Sequence, residues 1–250
     1  EAIKGKIVHL TGDIFRHVCE VCRLQAGDEF EVLIDTGNVY QVTLQERLRH
    51  TATAVITSER LAEPLPRPLI HLALSFPRVP IFESVLEKSV ELGVARVVPF
   101  VSQFSFIRSV DSEIVRNKLS RWRKIMQSAQ QQSGRAHPME LHSICQFDEV
   151  LSLFNRHDNA VGLFCYEGRT PHSLAEALNA VVLPQVKDVW IFIGSEGGFS
   201  EDEVQLFGQN QLAALSLGEQ ILRVETACVT VLGIIKYKAN LMGGIKRGSI

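Results

Sequence analysis

A proline-rich segment divides this chain of 250 residues into two parts with different sequence patterns. The segment Glu63–Pro68 contains three prolines in five positions, which can continue neither a helix nor a central strand. We therefore read it as a linker and predict two domains, 1–66 and 67–250. A chain of this length suits one large domain or two smaller ones.

Short β-rich runs separated by turn residues dominate the first part. They are Val8–Leu10, Glu29–Ile34, Val39–Leu44 and Ala52–Thr57. Short strands with regular turn signals are typical of a small β-barrel. The segment Ile14–Leu24 interrupts the series and is predicted to form a helical turn that carries Arg16, His17 and Arg23.

Strands and helices alternate in the second part. The predicted strands are Leu69–Leu74, Arg96–Val101, Ala160–Cys165, Val189–Ile193 and Ala213–Leu217. The predicted helices are 81–92, 112–132, 173–182, one that begins at the capping box Ser200–Glu203, and 226–239. The long helix is expected to bury Ile114, Val115, Leu119, Trp122, Met126 and Ala129. Such alternation indicates an α/β fold with a mostly parallel sheet.

Composition narrows the class of protein. Hydrophobic residues make up 46% and charged residues 22%, which is typical of a globular chain and not of a disordered one. No run approaches the roughly 18 apolar residues of a membrane span, and no secretory leader is visible, so we expect no membrane partner.

The five cysteines indicate a reducing compartment. Their odd, scattered placement is not a disulfide framework, so we expect a cytoplasmic protein. Cys19 and Cys22 form one CxxC beside His17, but the further ligands that zinc normally takes have no matching motif. We interpret these cysteines as small core residues and expect no metal site.

Three segments follow strands at the predicted carboxyl edge of the sheet, where open α/β sheets bind ligands. They are 164–168, 194–200 and 217–226. The middle one has three glycines in five positions ahead of a helix, which lets the backbone approach a ligand closely. It matches neither the dinucleotide nor the P-loop fingerprint, and a tight turn explains it equally well. For Arg223 and Glu225, a surface ion pair is the alternative.

The motifs together resemble the bacterial 16S rRNA uracil-N3 methyltransferases of the RsmE type, in the SPOUT superfamily. The glycine segment 194–200 and the segment 217–227 carry most of the similarity. Further matching pieces are Arg16–Val18, Arg23–Asp28, Lys88–Val94 and Gln132–Arg135. The similarity therefore covers nearly the whole chain.

The resemblance implies a fold, a cofactor and a reaction. The fold is a PUA-like β-barrel followed by a SPOUT-type α/β domain with a C-terminal trefoil knot. The chain would form a homodimer and would use S-adenosylmethionine to methylate N3 of a uridine in 16S rRNA, uracil 1498 in the family, within the small ribosomal subunit.

The resemblance also assigns roles to residues. The implied cofactor-binding residues are Cys165, Tyr166, Glu167, Ile193, Gly194, Gly197, Gly198, Leu217, Gly218, Ile221, Leu222, Arg223 and Thr226. Arg223 is the candidate for stabilising the developing uracil anion, and Glu196 or Glu225 is the candidate for accepting the N3 proton. The target base must be unpaired or flipped before it can react.

Several positions depart from the family pattern. Ser195 replaces a proline, Glu219-Gln220 replaces Pro-Arg, and Gln103-Phe104-Ser105 stands where Glu-Arg-Ser is usual. The loss of two arginines keeps two alternatives open. One is a catalytically weak or inactive SPOUT-fold RNA-binding protein, and the other is a methyltransferase of different RNA specificity. A third reading, an enzyme that binds an anionic nucleotide, is disfavoured because the glycine segment lacks Lys and Arg.

Charge is distributed unevenly along the chain. Residues 67–140 contain 11 Lys and Arg against 6 Asp and Glu, a net charge of +5 within a chain of net charge −2. Such an excess is the expected footprint of RNA phosphates, although a solvated helix face is the alternative. The candidate RNA-binding residues are Arg16, His17, Arg23, Arg121, Lys124 and Arg135.

Overall fold

The computed structural model describes residues 3–33, 37–168, 174–179 and 183–243. The chain divides into two compact units, and the boundary falls between Pro64 and Leu65, inside the proline-rich segment. No helix within the described ranges is long and apolar enough to cross a membrane.

The first unit contains a five-stranded antiparallel sheet in the order β1-β2-β5-β4-β3. The strands are β1 (Ile3–Lys4), β2 (Ile7–Thr11), β3 (Glu29–Leu33), β4 (Asn38–Arg47) and β5 (Thr51–Leu61). Residue 34, at the end of one predicted strand, lies outside the described ranges. The predicted helical turn is present as α1 (Gly12–Phe15), which continues as a π-helix over Arg16–Val21.

The core of this unit forms where one face of the sheet meets the helical segment. Val8 and Leu10 alternate with exposed neighbours along β2, as expected of a strand with one buried face. Phe15, Val18 and Cys19 pack into the same core. Cys19 is therefore a small core residue as predicted, whereas Cys22, for which the same was predicted, is only half-buried and is not part of this core.

The second unit is an α/β fold around a parallel sheet. The strand order is β12-β10-β11-β6-β7, and both β8 and β9 pair with the outer edge of β7. The strands are β6 (Leu69–Ser75), β7 (Arg96–Val101), β8 (Glu140–Leu141), β9 (Cys145–Gln146), β10 (Ala160–Cys165), β11 (Asp188–Ile193) and β12 (Ala213–Leu215). The helices are α2 (Val79–Glu91), α3 (Glu113–Ser133), α4 (Phe147–Asn155), α5 (Leu174–Asn179), α6 (Glu201–Gln209) and α7 (Val224–Lys238), with a 3₁₀ turn over Leu183–Gln185.

Strand β11 is the centre of this unit. All six of its residues are buried, and it pairs in parallel with β10 on one side and β6 on the other. A strand covered on both faces reads as a continuous apolar run, which is why Val189–Ile193 shows no alternation. The carboxyl ends of β6, β7, β10, β11 and β12 lie along one edge.

Most predicted elements are present, with two corrections. Val115, Trp122 and Ala129 are buried along α3, but Ile114 and Leu119 are 41% and 37% exposed. The three buried residues are spaced seven apart and α3 packs on α2, so its buried stripe is narrower than predicted. Helix α4 was not predicted, because its capping box uses Gln146 at the N-cap, where Ser, Thr, Asp or Asn is usual.

The ends of the helix predicted over 173–182 lie outside the described residues. Within the described part, α5 accounts for Leu174–Asn179.

A hydrogen-bonded triad, with two buried members and one that is half-buried, connects the amino-terminal ends of the central strands. Asp188 contacts His71 Nε2 at 2.8 Å and His157 Nδ1 at 3.3 Å, and the His71 ring stacks on Trp190. Burial lowers the pKa of His71, against the opposing effect of Asp188. Burial alone would raise the pKa of Asp188, but the hydrogen bonds from the two histidines outweigh it and hold that pKa below its usual range.

These shifts predict that acid destabilises the second unit. Below about pH 6.5 His71 binds a proton in the unfolded chain but not in the folded one, so the free energy of unfolding decreases as the pH is lowered. Below about pH 4 protonation of Asp188 lowers it further. Urea unfolding followed by the fluorescence of Trp122 and Trp190 should show a lower midpoint at pH 5.5 than at pH 7.5. His71→Gln should flatten this difference, whereas His142→Gln, at a partly exposed histidine, should retain it. Equal pH slopes in wild type and His71→Gln would contradict this origin.

Candidate functional site

A cavity of about 820 Å³, its open mouth included, lies at the carboxyl edge of the parallel sheet. The loops that follow β10, β11 and β12 surround it, together with the first turn of α7. Its lining residues are Cys165–Glu167, Ile193–Ser195, Gly197–Phe199, Leu215–Leu222, Val224 and Ala227. Its lining, part apolar and part polar, is that of a small-molecule site.

The loop after β11 is a tight turn that brings backbone against backbone. A Cβ on Gly194 would lie 2.8 Å from Cα of Gly198, and Gly198 itself has φ of +67°. The Gly198 amide donates to the Ser195 carbonyl at 2.9 Å. The loop therefore contains both a tight turn and a close approach of two backbone segments. No side chain larger than hydrogen fits at Gly194.

Helix α6 begins directly after this turn with the predicted capping box. Ser200 Oγ accepts from the Glu203 amide at 3.3 Å, and a Glu203 carboxylate oxygen accepts from the Ser200 amide at 2.9 Å. The other Glu203 oxygen accepts from the Gln103 amide at 2.8 Å. Glu203 is thus buried with each oxygen partnered, and it joins the glycine loop to the loop after β7.

A second contact joins the same two loops. Ser195 Oγ donates to the Phe104 carbonyl at 2.7 Å, so Ser195, which departs from the family pattern, makes a buried hydrogen bond that proline cannot make. A Cβ on Gly197 would lie 2.7 Å from Cβ of Phe104. The loop after β7 therefore rests directly on the rim of the cavity.

Glu196 stands on the outer side of the glycine loop and faces Arg78. Its Oε1 accepts from the Arg78 amide at 3.1 Å and lies 3.9 Å from Arg78 Nε. Arg78 was not among the residues predicted from the sequence. Its position just beyond the carboxyl end of the predicted strand Leu69–Leu74 was a usable signal, because that edge carries ligands.

The structure brings together eleven of the thirteen predicted cofactor-binding residues around the cavity. The other two, Arg223 and Thr226, are exposed at the start of α7 and are not among its lining residues. Ser195, Ser216 and Glu219 line the cavity although they were not predicted to do so. Burial raises the pKa of the Cys165 thiol to about 12, so this lining residue is neutral near pH 7.

The three predicted catalytic residues occupy different environments. Arg223 is the exposed N-cap of α7. Glu196 is engaged by Arg78, as described above. Glu225 is half-buried, and its Oε2 is buried with no hydrogen-bond partner among the described residues. A buried carboxylate oxygen without a donor is costly, and of the two candidate proton acceptors Glu225 has such an oxygen, whereas Glu196 accepts from the Arg78 amide.

Five of the six predicted RNA-binding residues are exposed. In the first unit these are Arg16, His17 and Arg23. On α3, Lys124 is exposed, and Arg121 is exposed but engages Glu83 through two hydrogen bonds of 2.7 and 2.9 Å.

Arg135 requires a correction. It is only 8% exposed and donates to the backbone carbonyls of Val90 and His137, and burial lowers its pKa to about 10. It follows Gly134, which ends α3 in a left-handed conformation, and its bond to Val90 joins the end of α3 to α2, so its side chain is not exposed for contact with RNA.

Comparison with known proteins assigns the family. Residues 63–236, more than half of the chain, match the family model described as "RNA methyltransferase domain". The chain belongs to the RNA methyltransferase family. Residues 10–57 match the "RNA methyltransferase PUA domain", which places a PUA domain at the N-terminus.

Named relatives agree with this family. Ribosomal RNA small subunit methyltransferase E of Bacillus subtilis is 27% identical over 240 residues, covering 94% of this chain and 91% of the relative. The protein of the same name from Synechocystis is 28% identical over 236 residues, covering 94% and 74%. The resemblance inferred from the motifs is confirmed.

Solved structures share the fold. The crystal structure of a ribosomal RNA small subunit methyltransferase E from Neisseria gonorrhoeae, bound to S-adenosylmethionine, has a TM-score of 0.74 and 26% identity over 95% of this chain and 94% of its own. A methyltransferase structure from Legionella pneumophila, in complex with the same cofactor, has a TM-score of 0.72 with 26% identity and the same coverage.

The contact between Gly194 and Gly198 predicts a sharp difference between two glycine substitutions. Gly194→Ala forces backbone apart and should lower the free energy of unfolding by about 1–3 kcal/mol. Gly208→Ala, in α6 with open space around it, should raise it by about 0.5–1 kcal/mol. Urea denaturation of both variants checks this, and a Gly194→Ala protein as stable as wild type would show that the turn is looser than described.

Proposed function

We propose that this chain is an S-adenosylmethionine-dependent methyltransferase that acts on N3 of a uridine in 16S rRNA of the small ribosomal subunit. The observation that carries the proposal is the convergence of three loops on one cavity. These loops follow β10, β11 and β12, and they are the segments that carry the resemblance to the RsmE type. The relatives named above, which the chain matches over 74% to 94% of their own length, support the same activity.

The cavity fits S-adenosylmethionine. Its apolar lining includes Ile193, Leu217 and Ile221, which offer a surface for adenine. The glycine loop exposes backbone where a Cβ would intrude. Glu167 and Glu219 also line the cavity, so carboxylates lie near a ligand that carries positive charge.

When bound, the cofactor supplies a methyl carbon made electrophilic by its sulfonium, and the chain supplies placement and proton handling. Uracil N3 carries a proton that must leave for the ring nitrogen to act as a nucleophile. Of the two candidate acceptors, Glu225 has a free buried oxygen, whereas Glu196 is already engaged by Arg78. We therefore assign the acceptor role to Glu225. We assign Arg223, two residues earlier in the chain, to stabilising the charge that develops on the uracil carbonyl oxygens.

The finer features of the fold are also part of the proposal. After β11 the chain passes beyond β10 to form β12, and α7 then returns to pack on β11 and α2. This return past the glycine loop supports a trefoil knot in the C-terminal part. We likewise propose that the five antiparallel strands of the first unit close into a PUA-like β-barrel, and that the enzyme is a cytoplasmic homodimer.

We propose that RNA contacts exposed basic residues on both units. In the first unit these are Arg16, His17 and Arg23. In the second, the exposed residues Arg116, Arg123 and Lys124 on α3 have no ion pair within the described part of the chain. Arg121 is tied to Glu83, so it contributes less free charge, and Arg135 is left out.

The activity is tested with purified protein, labelled S-adenosylmethionine and small ribosomal subunits that lack the modification. The expected result is transfer of label to 16S rRNA. Binding of the cofactor without transfer to any RNA would contradict the enzymatic proposal and favour a non-catalytic RNA-binding protein.

The cofactor site is tested by Ile221→Arg. Ile221 lines the cavity but is 77% exposed, so the substitution should leave the fold intact. It brings a cation to a cavity that is proposed to hold a positively charged ligand and removes an apolar contact, and we expect cofactor affinity in titration calorimetry to fall about tenfold or more. Gly208→Arg, an exposed position on α6, is the matched control and should bind like wild type. Unchanged affinity in Ile221→Arg would place the cofactor elsewhere.

The RNA interface is tested by salt dependence. Arg123→Ala together with Lys124→Ala should weaken rRNA binding and reduce the slope of log affinity against log salt by about one for each phosphate that these side chains neutralise. Arg156→Ala, an exposed arginine at the end of α4, should retain the wild-type slope. An unchanged slope in the double variant would indicate that this face of α3 is only solvated.

A further inference from the structure

The loop after β7 presents two aromatic side chains to solvent beside the cavity. Phe104 is 43% exposed and Phe106 is 48% exposed. Burying an aromatic ring is favourable, so exposed rings on a short loop call for an explanation beyond core packing.

Hydrogen bonds fix the backbone of this loop, so the exposure of the two rings follows from a defined loop conformation. Ser105 is buried, and its Oγ contacts the carbonyls of Ser102 and Ile107 at 2.8 and 2.9 Å. The Phe106 amide donates to the Phe76 carbonyl at 2.8 Å. With the bonds from Ser195 and Glu203, the backbone on both sides of Phe104 is fixed.

Of these two residues, Phe104 packs against the glycine loop. A Cβ on Gly197 would lie 2.7 Å from Cβ of Phe104, and Gly197 lines the cavity. Phe104 is therefore at the rim of the cavity. Two arginines contact the same two loops: Arg108 donates to the Gln103 carbonyl next to Phe104, and the Arg78 amide donates to Glu196 on the glycine loop.

A base that is methylated at a ring nitrogen used in pairing must leave its stack before it can enter such a site. An aromatic side chain at the entrance replaces part of the stacking that is lost, as aromatic rings do in proteins that bind single-stranded RNA. Arginines that contact these two loops suit the phosphates on either side of the extruded nucleotide.

We propose that Phe104 is the surface on which the target base stacks at the mouth of the cofactor cavity. This assignment rests on the proposed function and adds a base-positioning residue to it. It also gives a role to the phenylalanine that stands where the resemblance leads us to expect arginine, since stacking on a ring replaces attraction by a charge.

The test compares Phe104→Leu, Phe104→Tyr and Phe106→Leu in steady-state methylation of small subunits. Phe104→Leu keeps apolar bulk but removes the ring, so kcat/KM for the RNA should fall about tenfold or more, with cofactor affinity and melting temperature unchanged. Phe104→Tyr retains the ring and should stay within about threefold of wild type. Phe106→Leu, on the same loop, should also stay within about threefold.

Three outcomes would overturn the stacking role. One is a Phe104→Leu enzyme with wild-type kcat/KM, and another is an equal loss in Phe104→Leu and Phe106→Leu. The third is a loss in Phe104→Leu that tracks a loss of cofactor affinity, which would indicate loop packing only. A wild type that binds cofactor but transfers no methyl group would instead overturn the proposed function itself, so the two failures are distinguishable.

Discussion

The parallel register of β10, β11 and β6 is the constraint on which the rest of the second unit depends. Leu163 on β10 pairs with Ile191 on β11, which pairs with Leu72 on β6. Because the three strands run in the same direction and are in register, their following loops emerge at one edge. Cys165 and Ala227, 62 residues apart in the chain, thereby line a single cavity. The apolar burial that holds β11 between its neighbours is thus also what assembles the site.

Backbone packing at the glycine loop then determines what the edge can bind. Gly194 and Gly198 both line the cavity, and they approach so closely that a Cβ on Gly194 would lie 2.8 Å from Cα of Gly198. Ser195 and Glu203 use their side chains on the other side of the turn, where they hold the loop after β7. One short segment therefore shapes the cavity on one face and fixes a neighbouring loop on the other.

Sequence patterns predicted the elements well where burial follows a simple period. The β-rich first part, the alternating second part and the capping box at Ser200 are all present. The predictions were wrong where a residue's type suggested one environment and tertiary packing imposed another. Ile114 and Leu119 are apolar but lie outside the narrow contact of α3 with α2, and Arg135 is charged but buried.

The candidate site was predicted from the family resemblance more than from local pattern. Nothing in the sequence near Ser195 indicates its bond to the Phe104 carbonyl, 91 residues away. The same holds for Glu196 and the Arg78 amide, 118 residues apart. Such pairs depend on strand order, and strand order is set by long-range packing. Only the general rule that ligands gather at the carboxyl edge was open to sequence reasoning.

In the proposed reaction this chain places a methyl group on N3 of a uridine in 16S rRNA. Mass spectrometry of nucleosides from the small-subunit rRNA of cells with and without the gene tests it most directly. We expect 3-methyluridine to disappear from 16S rRNA when the gene is deleted and to return when the wild-type chain is expressed again. A level of 3-methyluridine unchanged by the deletion would contradict this claim.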